Sequence, residues 1–229
     1  MNIAIILSGG VGSRMGNNIP KQYIELKNKP IISWCIQKFV SREDIDAIVI
    51  VIADEWIDYV KTHISSEINK FIFAKPGETR QFSIYNGLNA AKDAGFLDDD
   101  IVIIHDAARP LVSNKIIDDC INGLKEGYDG VMPALEVKDT TYLTNDGTII
   151  SSLLDRSKLR AGQSPESFRL GSYLALHENM SKDELLKING STELAFKAGK
   201  KVKIIKGDEG NFKITTPEDL LRFKQIIQG

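Results

Sequence analysis

The sequence predicts an α/β fold in which a mostly parallel sheet carries helices on both faces. Short β-branched apolar runs alternate with segments of helical periodicity along most of the chain, which is the pattern of βαβ units. The chain has 229 residues, of which 42% are hydrophobic, enough to bury a substantial core. We therefore expect residues 1–229 to form a single domain with a Rossmann-like, three-layer architecture.

Six strands and four helices are predicted from these runs. The strands cover about 3–7, 47–52, 71–74, 101–105, 130–135 and 202–205, and the helices about 30–40, 56–65, 79–94 and 114–126. Ser113 is an N-cap candidate for the last of these helices. Thr216-Pro217-Glu218-Asp219 predicts the start of a terminal helix, with proline in its first position.

The stretch 138–162 interrupts the alternation. Polar and apolar residues at 139–144 and 148–150 flank Asn145-Asp146-Gly147, which predicts an inserted β-hairpin with a tight Asp-Gly turn. Such an arm either packs on a second subunit or decorates the surface, and the residues alone leave both open. We expect the stretch 138–162 to pack on a second subunit, as a β-arm for dimerisation.

Composition excludes several classes of function. The 31 acidic and 29 basic residues give a net charge of −2, which argues against general binding to nucleic acid or a membrane surface. Cys35 and Cys120 fall within helical patterns and suggest ordinary core residues rather than a disulfide or metal site. The first strand begins at the N-terminus and no apolar run approaches a membrane span, so we expect a cytoplasmic protein.

A glycine-rich turn follows the first strand and predicts a phosphate site. In Gly9-Gly10-Val11-Gly12-Ser13-Arg14-Met15, residues without a Cβ let backbone N–H groups approach phosphate oxygens. Arg14 and Lys21 supply cations within reach. The spacing is one residue too long for the dinucleotide fingerprint, and no Gly-Lys-Ser/Thr completes a P-loop. A tight turn without a ligand is the alternative.

Two more strand ends carry polar residues to the same edge of the predicted sheet. Lys75-Pro76-Gly77-Glu78-Thr79-Arg80 follows the third strand, and His105-Asp106-Ala107-Ala108-Arg109-Pro110 ends the fourth. Ligands of such sheets bind outside the carboxyl ends of the strands. Asp106 is a candidate Mg²⁺ carboxylate, since Mg²⁺ needs few protein carboxylates when substrate phosphates complete its shell. The alternative is a structural pair between Asp106 and Arg109. The segment after the third strand also has an alternative interpretation, an ordinary helix N-terminus that Thr79 caps.

The glycine turn, with Pro20-Lys21-Gln22 behind it, resembles the signature of nucleotidyltransferases that activate sugar and polyol phosphates. The Pro-Lys-Gln form is similar to that of cytidylyltransferases acting on 2-C-methyl-D-erythritol 4-phosphate or ribitol 5-phosphate. The motif at 105–110 resembles the methylerythritol enzymes, whereas ribitol enzymes tend to carry Asp-Ser-Val-Arg-Pro there. Further matches are Gly77 to Ser83 with G-x-x-R-x-x-S, Asn211 to Thr215 with N-x-K-I/V-T, Asp139-Thr140 with D-T, and Asp155-Arg156 with D-R.

The resemblance implies a nucleotide-diphospho-sugar transferase fold and a homodimer that converts CTP and a polyol phosphate to a CDP-polyol and pyrophosphate, with Mg²⁺. We expect neither a nucleic-acid nor a membrane partner. The implied residues are Arg14, Lys21 and Lys213 for catalysis; Leu7, Ser8, Gly9, Gly10, Gly12, Ser13, Gly77, Glu78, Ser83 and Ala107 for the nucleotide; Arg109, Thr140 and a partner's Arg156 for the acceptor; and Asp106 and Asn211 for the metal. A nucleotide-binding domain without turnover is the alternative of another class. The cations retained at the phosphate positions count against it.

Two segments depart from the family pattern. Gln163-Ser164-Pro165-Glu166-Ser167-Phe168 stands where the family usually has Q-T-P-Q-x-F. Asn189-Gly190-Ser191-Thr192-Glu193 stands where T-D-D or T-D-E is usual, so an acidic pair is lost. The loss of the acidic pair bears on which polyol phosphate is the acceptor.

Overall fold

The computed structural model describes residues 1–10, 19–64 and 70–228. The strands are β1 Asn2–Leu7, β2 Glu25–Leu26, β3 Lys29–Pro30, β4 Ala47–Val51, β5 Phe71–Ala74, β6 Ile101–Asp106, β7 Gly130–Glu136, β8 Thr141–Thr144, β9 Ile150–Leu154, β10 Arg160–Gly162, β11 Glu166–Arg169 and β12 Val202–Lys206. The helices are α1 Ile31–Val40, α2 Asp54–Lys61, α3 Arg80–Asp93, α4 Asn114–Lys125, α5 Leu170–Glu178, α6 Lys182–Leu185, α7 Ser191–Lys197 and α8 Pro217–Gln228, with 3₁₀ turns at Lys21–Tyr23 and Arg156–Lys158.

The central sheet has eight strands in the order β10-β7-β11-β6-β1-β4-β5, with β12 paired to β7. Strands β5, β4, β1 and β6 run parallel, and β12 runs parallel to β7. The predicted α/β class with a mostly parallel sheet is therefore confirmed. The unpredicted strand β11 lies antiparallel between β6 and β7. Its sequence, Glu-Ser-Phe-Arg, lacks the apolar run by which the parallel strands were recognised.

The two faces of the sheet bury separate apolar clusters, which makes the fold three-layered. Along β1, Ala4 and Ile6 face one cluster while Ile3 and Ile5 face the other, and all four side chains are fully buried. Helices α1 and α4 cover the first face, and α3 and α5 cover the second. A strand buried on both sides must be apolar at successive positions, which explains the continuous apolar runs in the sequence.

The predicted helix starts are confirmed where a capping side chain marks them. The Ser113 hydroxyl accepts a hydrogen bond from the Ile116 N–H at 3.4 Å at the start of α4. Helix α8 begins at Pro217, and the Asp219 carboxylate accepts from the backbone N–H groups of Thr215 and Thr216. Helix α2 starts earlier than predicted because Asp54 and Glu55 belong to its first turn, where they suit the helix dipole.

The inserted segment forms the predicted hairpin, β8 paired antiparallel with β9, but its turn is wider than predicted. The Asp146 carboxylate accepts hydrogen bonds from the N–H groups of Thr148 and Ile149, at 2.8 and 2.9 Å. This side-chain turn delays the second strand until Ile150, so the prediction of a tight Asp-Gly turn is wrong. Gly147 has a φ of +81°, which suits glycine.

The arm exposes a row of apolar side chains. Tyr142, Leu143, Ile149, Ile150 and Leu153 are between 49% and 70% exposed. An exposed apolar group of this kind is typical of a surface that another molecule covers. Among the described residues, no helix combines the length and apolarity needed to cross a membrane.

Candidate active site

A cavity of about 480 Å³ opens at the carboxyl edge of the sheet. The ends of β1, β5 and β6 and the segment after β12 converge on it. The predicted residues that line it are Leu7, Ser8, Gly9, Gly10, Lys21, Gly77, Glu78, Ser83, Asp106, Ala107 and Lys213. The structure therefore brings together residues from five separate stretches of the sequence. Gly12, Ser13 and Arg14 lie outside the described residues.

Gln22 fixes the described part of the glycine-rich turn. Its buried side-chain amide donates to the carbonyl oxygens of Ser8 and Gly10, at 2.5 and 2.7 Å. The Tyr23 hydroxyl donates to the same Ser8 carbonyl at 3.0 Å. These bonds tie the Lys21–Tyr23 turn to the end of β1, and so they place Lys21 on the cavity wall.

The two described glycines of this turn serve different purposes. A Cβ on Gly9 would lie 2.3 Å from the Cβ of Pro76, whereas a Cβ on Gly10 would meet no atom of the described residues within 4 Å. Gly9 is therefore required by close packing between two strand ends. Gly10 leaves open space beside the cavity that it lines.

Gly77 to Ser83 forms a narrow wall at the start of α3. A Cβ on Gly77 would lie 2.3 Å from Phe82 Cβ, and the Gly77 N–H donates to the Ser83 hydroxyl at 3.0 Å. Thr79 occupies the N-cap position, but its side chain makes no capping hydrogen bond, so the simple helix-cap interpretation fails. Glu78 pairs with Lys182 at 2.7 Å, a contact that the sequence did not reveal.

Asp106 is a buried carboxylate surrounded by cations. Its Oδ2 lies 2.9 Å from Lys213 Nζ and 3.8 Å from Arg109 Nε, and its Oδ1 lies 3.4 Å from Arg80 Nε. Burial alone would raise the pKa of this carboxyl, but the cations, with Arg80 first, outweigh burial and hold the pKa well below its usual range. Asp106 is therefore an anion at any pH where the protein works.

Arg80 and Glu166 complete the charged centre and are absent from the sequence-based set of site residues. The Arg80 guanidinium lines the cavity and lies 3.1 Å from a Glu166 oxygen as well as 3.4 Å from Asp106. Burial disfavours the charged form of Arg80, but the two carboxylates outweigh that effect and raise its pKa. The available signals were the arginine of the G-x-x-R-x-x-S motif and the departure from the family pattern at Glu166, but neither indicated that the two side chains pair.

Arg109 and Asn211 do not line the cavity, and the contacts that the resemblance implies for them stay predictions. The Arg109 guanidinium donates to the Asn211 carbonyl at 2.6 Å, and its side chain is 12% exposed. Asn211 is fully buried, and its amide donates to the Ser164 carbonyl at 2.7 Å. Both therefore support the segment that carries Lys213. The Asn211 Oδ1 is buried without a hydrogen-bond partner among the described residues.

Thr140 and Arg156 lie on the exposed arm and do not line the cavity of their own chain. The Arg156 guanidinium donates to the Lys138 carbonyl at 2.6 Å, at the base of the arm. If these residues contact an acceptor, the placement requires that they do so in another chain's cavity.

His105 supports the end of β6 rather than the chemistry. Its Nε2 lies 2.9 Å from the Arg109 carbonyl, and its Nδ1 lies 3.2 Å from the Ser164 hydroxyl, which also accepts from the Asp106 N–H. Burial lowers the pKa of His105 to about 4, so the ring is neutral at pH 7. Cys35 and Cys120 are buried in α1 and α4, as expected of core residues.

The profile of a family described as IspD, 2-C-methyl-D-erythritol 4-phosphate cytidylyltransferase, matches residues 2–229. The chain belongs to this family. It is therefore of a nucleotidyltransferase class, with the fold that the resemblance implied. A relative named ribitol-5-phosphate cytidylyltransferase, from Vibrio parahaemolyticus, is 38% identical over 99% of this chain and 96% of its own length. One named 2-C-methyl-D-erythritol 4-phosphate cytidylyltransferase, from Clostridium perfringens, is 37% identical over 99% and 98%.

The solved structures agree with this assignment. The Francisella tularensis 2-C-methyl-D-erythritol 4-phosphate cytidylyltransferase superposes with a TM-score of 0.82 at 27% identity, and the match covers 98% of each chain. The fold and its connectivity are therefore those of the IspD family. The relatives carry both acceptor names, so the family does not by itself choose the acceptor.

The two departures from the family pattern are in direct contact. Glu166 stands where the family usually has glutamine, and its carboxylate accepts hydrogen bonds from the Ser191 hydroxyl and from the Thr192 N–H and hydroxyl. These two residues belong to the segment that has lost the usual acidic pair. Glu166 thus joins the two departing segments and also faces Arg80.

We expect Gly9→Ala to destabilise the fold by about 1–3 kcal/mol, because the new methyl group overlaps Pro76 and forces two strand ends apart. Gly10→Ala is the matched control, since its methyl group meets none of the residues that the structure describes and should change stability by less than about 0.5 kcal/mol. Urea denaturation of both variants measures the difference. Equal stability of the two variants would show that the close approach of Gly9 to Pro76 is not a constraint.

Proposed function

We propose that this enzyme transfers the cytidylyl group of CTP to 2-C-methyl-D-erythritol 4-phosphate. The observation that supports this acceptor is the end of β6, where Ala107 and Ala108 line the cavity next to Asp106. These two small residues are the feature by which the sequence resembles the methylerythritol enzymes. Ribitol 5-phosphate is the second candidate, because relatives at 38% and 35% identity carry that name.

The cavity is suited to a nucleoside triphosphate of limited base size. Lys21, Arg80 and Lys213 line it and supply positive charge for phosphate oxygens. The backbone at Gly77 and the Ser83 hydroxyl offer hydrogen-bonding groups for the edge of a base. Gly77 packs tightly against Phe82, so the space for a base beside this segment is narrow. A narrow space favours a pyrimidine over the larger purine.

The residues at the cavity also suit Mg²⁺. Asp106 provides an ionised carboxylate at the cavity wall, and no group of three metal-ligating side chains occurs among the described residues. Mg²⁺ commonly takes one or two protein carboxylates and completes its shell with substrate phosphates and water. Asp106 would hold the ion, which when bound neutralises phosphate charge. Asn211 is too enclosed in this arrangement to be proposed as a second ligand.

The reaction follows from this placement. An oxygen of the acceptor phosphate attacks the α-phosphorus of CTP, a new P–O bond forms, and the bond to the β-phosphate breaks to release pyrophosphate. Lys21 and Lys213 come from different segments and stabilise the charge that builds up on the transferring group. The sequence assigns Arg14 the same role. No side chain has to form a covalent intermediate, so positioning and charge neutralisation provide the catalysis.

We further propose that two chains form a dimer through the apolar face of the arm and share their acceptor sites. Arg156 and Thr140 are exposed on the arm and lie outside their own cavity. A two-fold interface would bring each arm to the partner's cavity reciprocally. The exposed side chains of the arm, such as Ile150 and Leu153, supply the apolar surface for such contact.

A panel of substrates tests the proposed reaction. Pyrophosphate release is measured with CTP, UTP, ATP or GTP, each with 2-C-methyl-D-erythritol 4-phosphate or ribitol 5-phosphate, in Mg²⁺ and in EDTA. We expect turnover with CTP and the methylerythritol acceptor, and none in EDTA. Faster turnover with ribitol 5-phosphate would select the second candidate. Equal use of purine nucleotides would refute the base site, and no turnover in any mixture would favour a nucleotide-binding domain without catalysis.

Subunit mixing tests the shared site. Arg156→Ala should raise the acceptor KM strongly with little effect on CTP binding, and Lys21→Ala should lower turnover about 10²–10³-fold. In a 1:1 mixture of the two variants, about half of the dimers contain one chain of each kind. In such a dimer, one site combines an intact Lys21 with an intact Arg156 from the other chain, and the second site lacks both. About a quarter of all sites are then intact, so activity should return to about a quarter of the wild-type value.

Arg160→Ala is the control for this experiment, because Arg160 is another exposed arginine at the base of the arm. It should keep the wild-type acceptor KM. If chains exchange and activity does not return, Arg156 acts within its own chain or not at all.

A further inference from the structure

Arg80 lies between two carboxylates that differ in their other contacts. Its guanidinium is 3.1 Å from Glu166 Oε2 and 3.4 Å from Asp106 Oδ1, and it also donates to the Ser191 hydroxyl. Asp106 opens to the cavity, whereas Glu166 does not line it. Arg80 therefore bridges Asp106, which lines the cavity, and Glu166, which lies behind the cavity wall.

Glu166 is held in place independently of any ligand. Its side chain is 7% exposed and accepts from the Thr192 N–H at 3.1 Å, from the Thr192 hydroxyl at 3.0 Å and from the Ser191 hydroxyl. Arg80 also donates to this carboxylate, so all of its hydrogen-bond partners among the described residues are donors. Such an environment stabilises a charged carboxylate, whereas an amide at this position would offer Arg80 no negative charge.

Arg80 and a divalent cation would compete for the Asp106 carboxylate. Arg80 Nε lies 3.4 Å from Asp106 Oδ1, and Lys213 Nζ lies 2.9 Å from Asp106 Oδ2. A cation held by Asp106 would repel Arg80 and would compete with it for the carboxylate. A largely buried guanidinium that loses one carboxylate is strongly disfavoured unless a second one retains it.

We propose that Glu166 is a positioning residue that retains Arg80 when a divalent cation takes over Asp106. Through this contact it sets how much Mg²⁺ strengthens CTP binding. Without the charge of Glu166, Arg80 stays on Asp106 and competes with the cation. The inference rests on the proposed function, since it assumes that CTP and Mg²⁺ meet at Asp106.

Calorimetric binding of CTP without acceptor tests this inference. CTP affinity is measured in saturating Mg²⁺ and in EDTA, and the ratio of the two affinities is the metal contribution. We expect Glu166→Gln to lower this ratio about tenfold, the size of effect that follows the loss of one charged hydrogen bond. Glu126→Gln is the control, because Glu126 pairs with Lys203 at the surface and contacts no cavity residue. It should leave the ratio unchanged.

The same measurement in an Arg80→Met variant separates an effect that Glu166 exerts through Arg80 from a direct effect of its charge. Arg80→Met removes the competing guanidinium, so it should raise the ratio, and in that background Glu166→Gln should change the ratio by less than twofold. An equal effect of Glu166→Gln in both backgrounds would show that Glu166 acts as a charge alone and would overturn the proposal. No effect in the wild-type background would also overturn it.

The outcome remains decisive if Glu166→Gln does not fold, as followed by circular dichroism. Arg80→Met alone must still raise the ratio, and an unchanged or lower ratio overturns the proposal. Pyrophosphate release by the wild-type protein tests the proposed function separately. The positioning role can therefore fail while the reaction stands, and the two failures are distinguishable.

Discussion

The site depends on one buried anion, the Asp106 carboxylate at the end of β6. A charge in this position is tolerated only with close partners, and three cationic side chains supply them. Arg80 comes from the start of α3, Arg109 from the turn after β6, and Lys213 from the segment after β12. The need to neutralise one carboxylate thus determines how three distant segments meet. The same side chains form the charged part of the cavity.

This arrangement explains how the cations of the cavity are compatible with a folded protein. Arg80 pairs with Glu166 and Lys213 pairs with Asp106, so each of these two cations has a carboxylate partner within the chain. On the other wall, Gln22 holds the described part of the glycine turn through the Ser8 and Gly10 carbonyls.

The sequence predicted the parallel strands and their shared edge because each is encoded locally, by an apolar run and the polar residues that follow it. It missed β11 because Glu166 and Ser167 are polar, although both are buried through contacts with distant segments. The contact of Arg109 with the Asn211 carbonyl, which supports the segment that carries Lys213, was also not predicted. The pairing of Glu166 with Arg80 is likewise a long-range contact, which no local pattern encodes.

The most direct test of this account is a ¹³C NMR titration of the side-chain carboxyl groups, with Asp106 assigned by the signal that Asp106→Asn removes. The cations around it should keep Asp106 ionised throughout the acidic range in which the protein stays folded. Lys213→Met should raise its pKa, because one of the partners is lost. An Asp106 carboxyl that titrates in the folded protein at the ordinary value of an aspartate, about 3.9, would contradict the account.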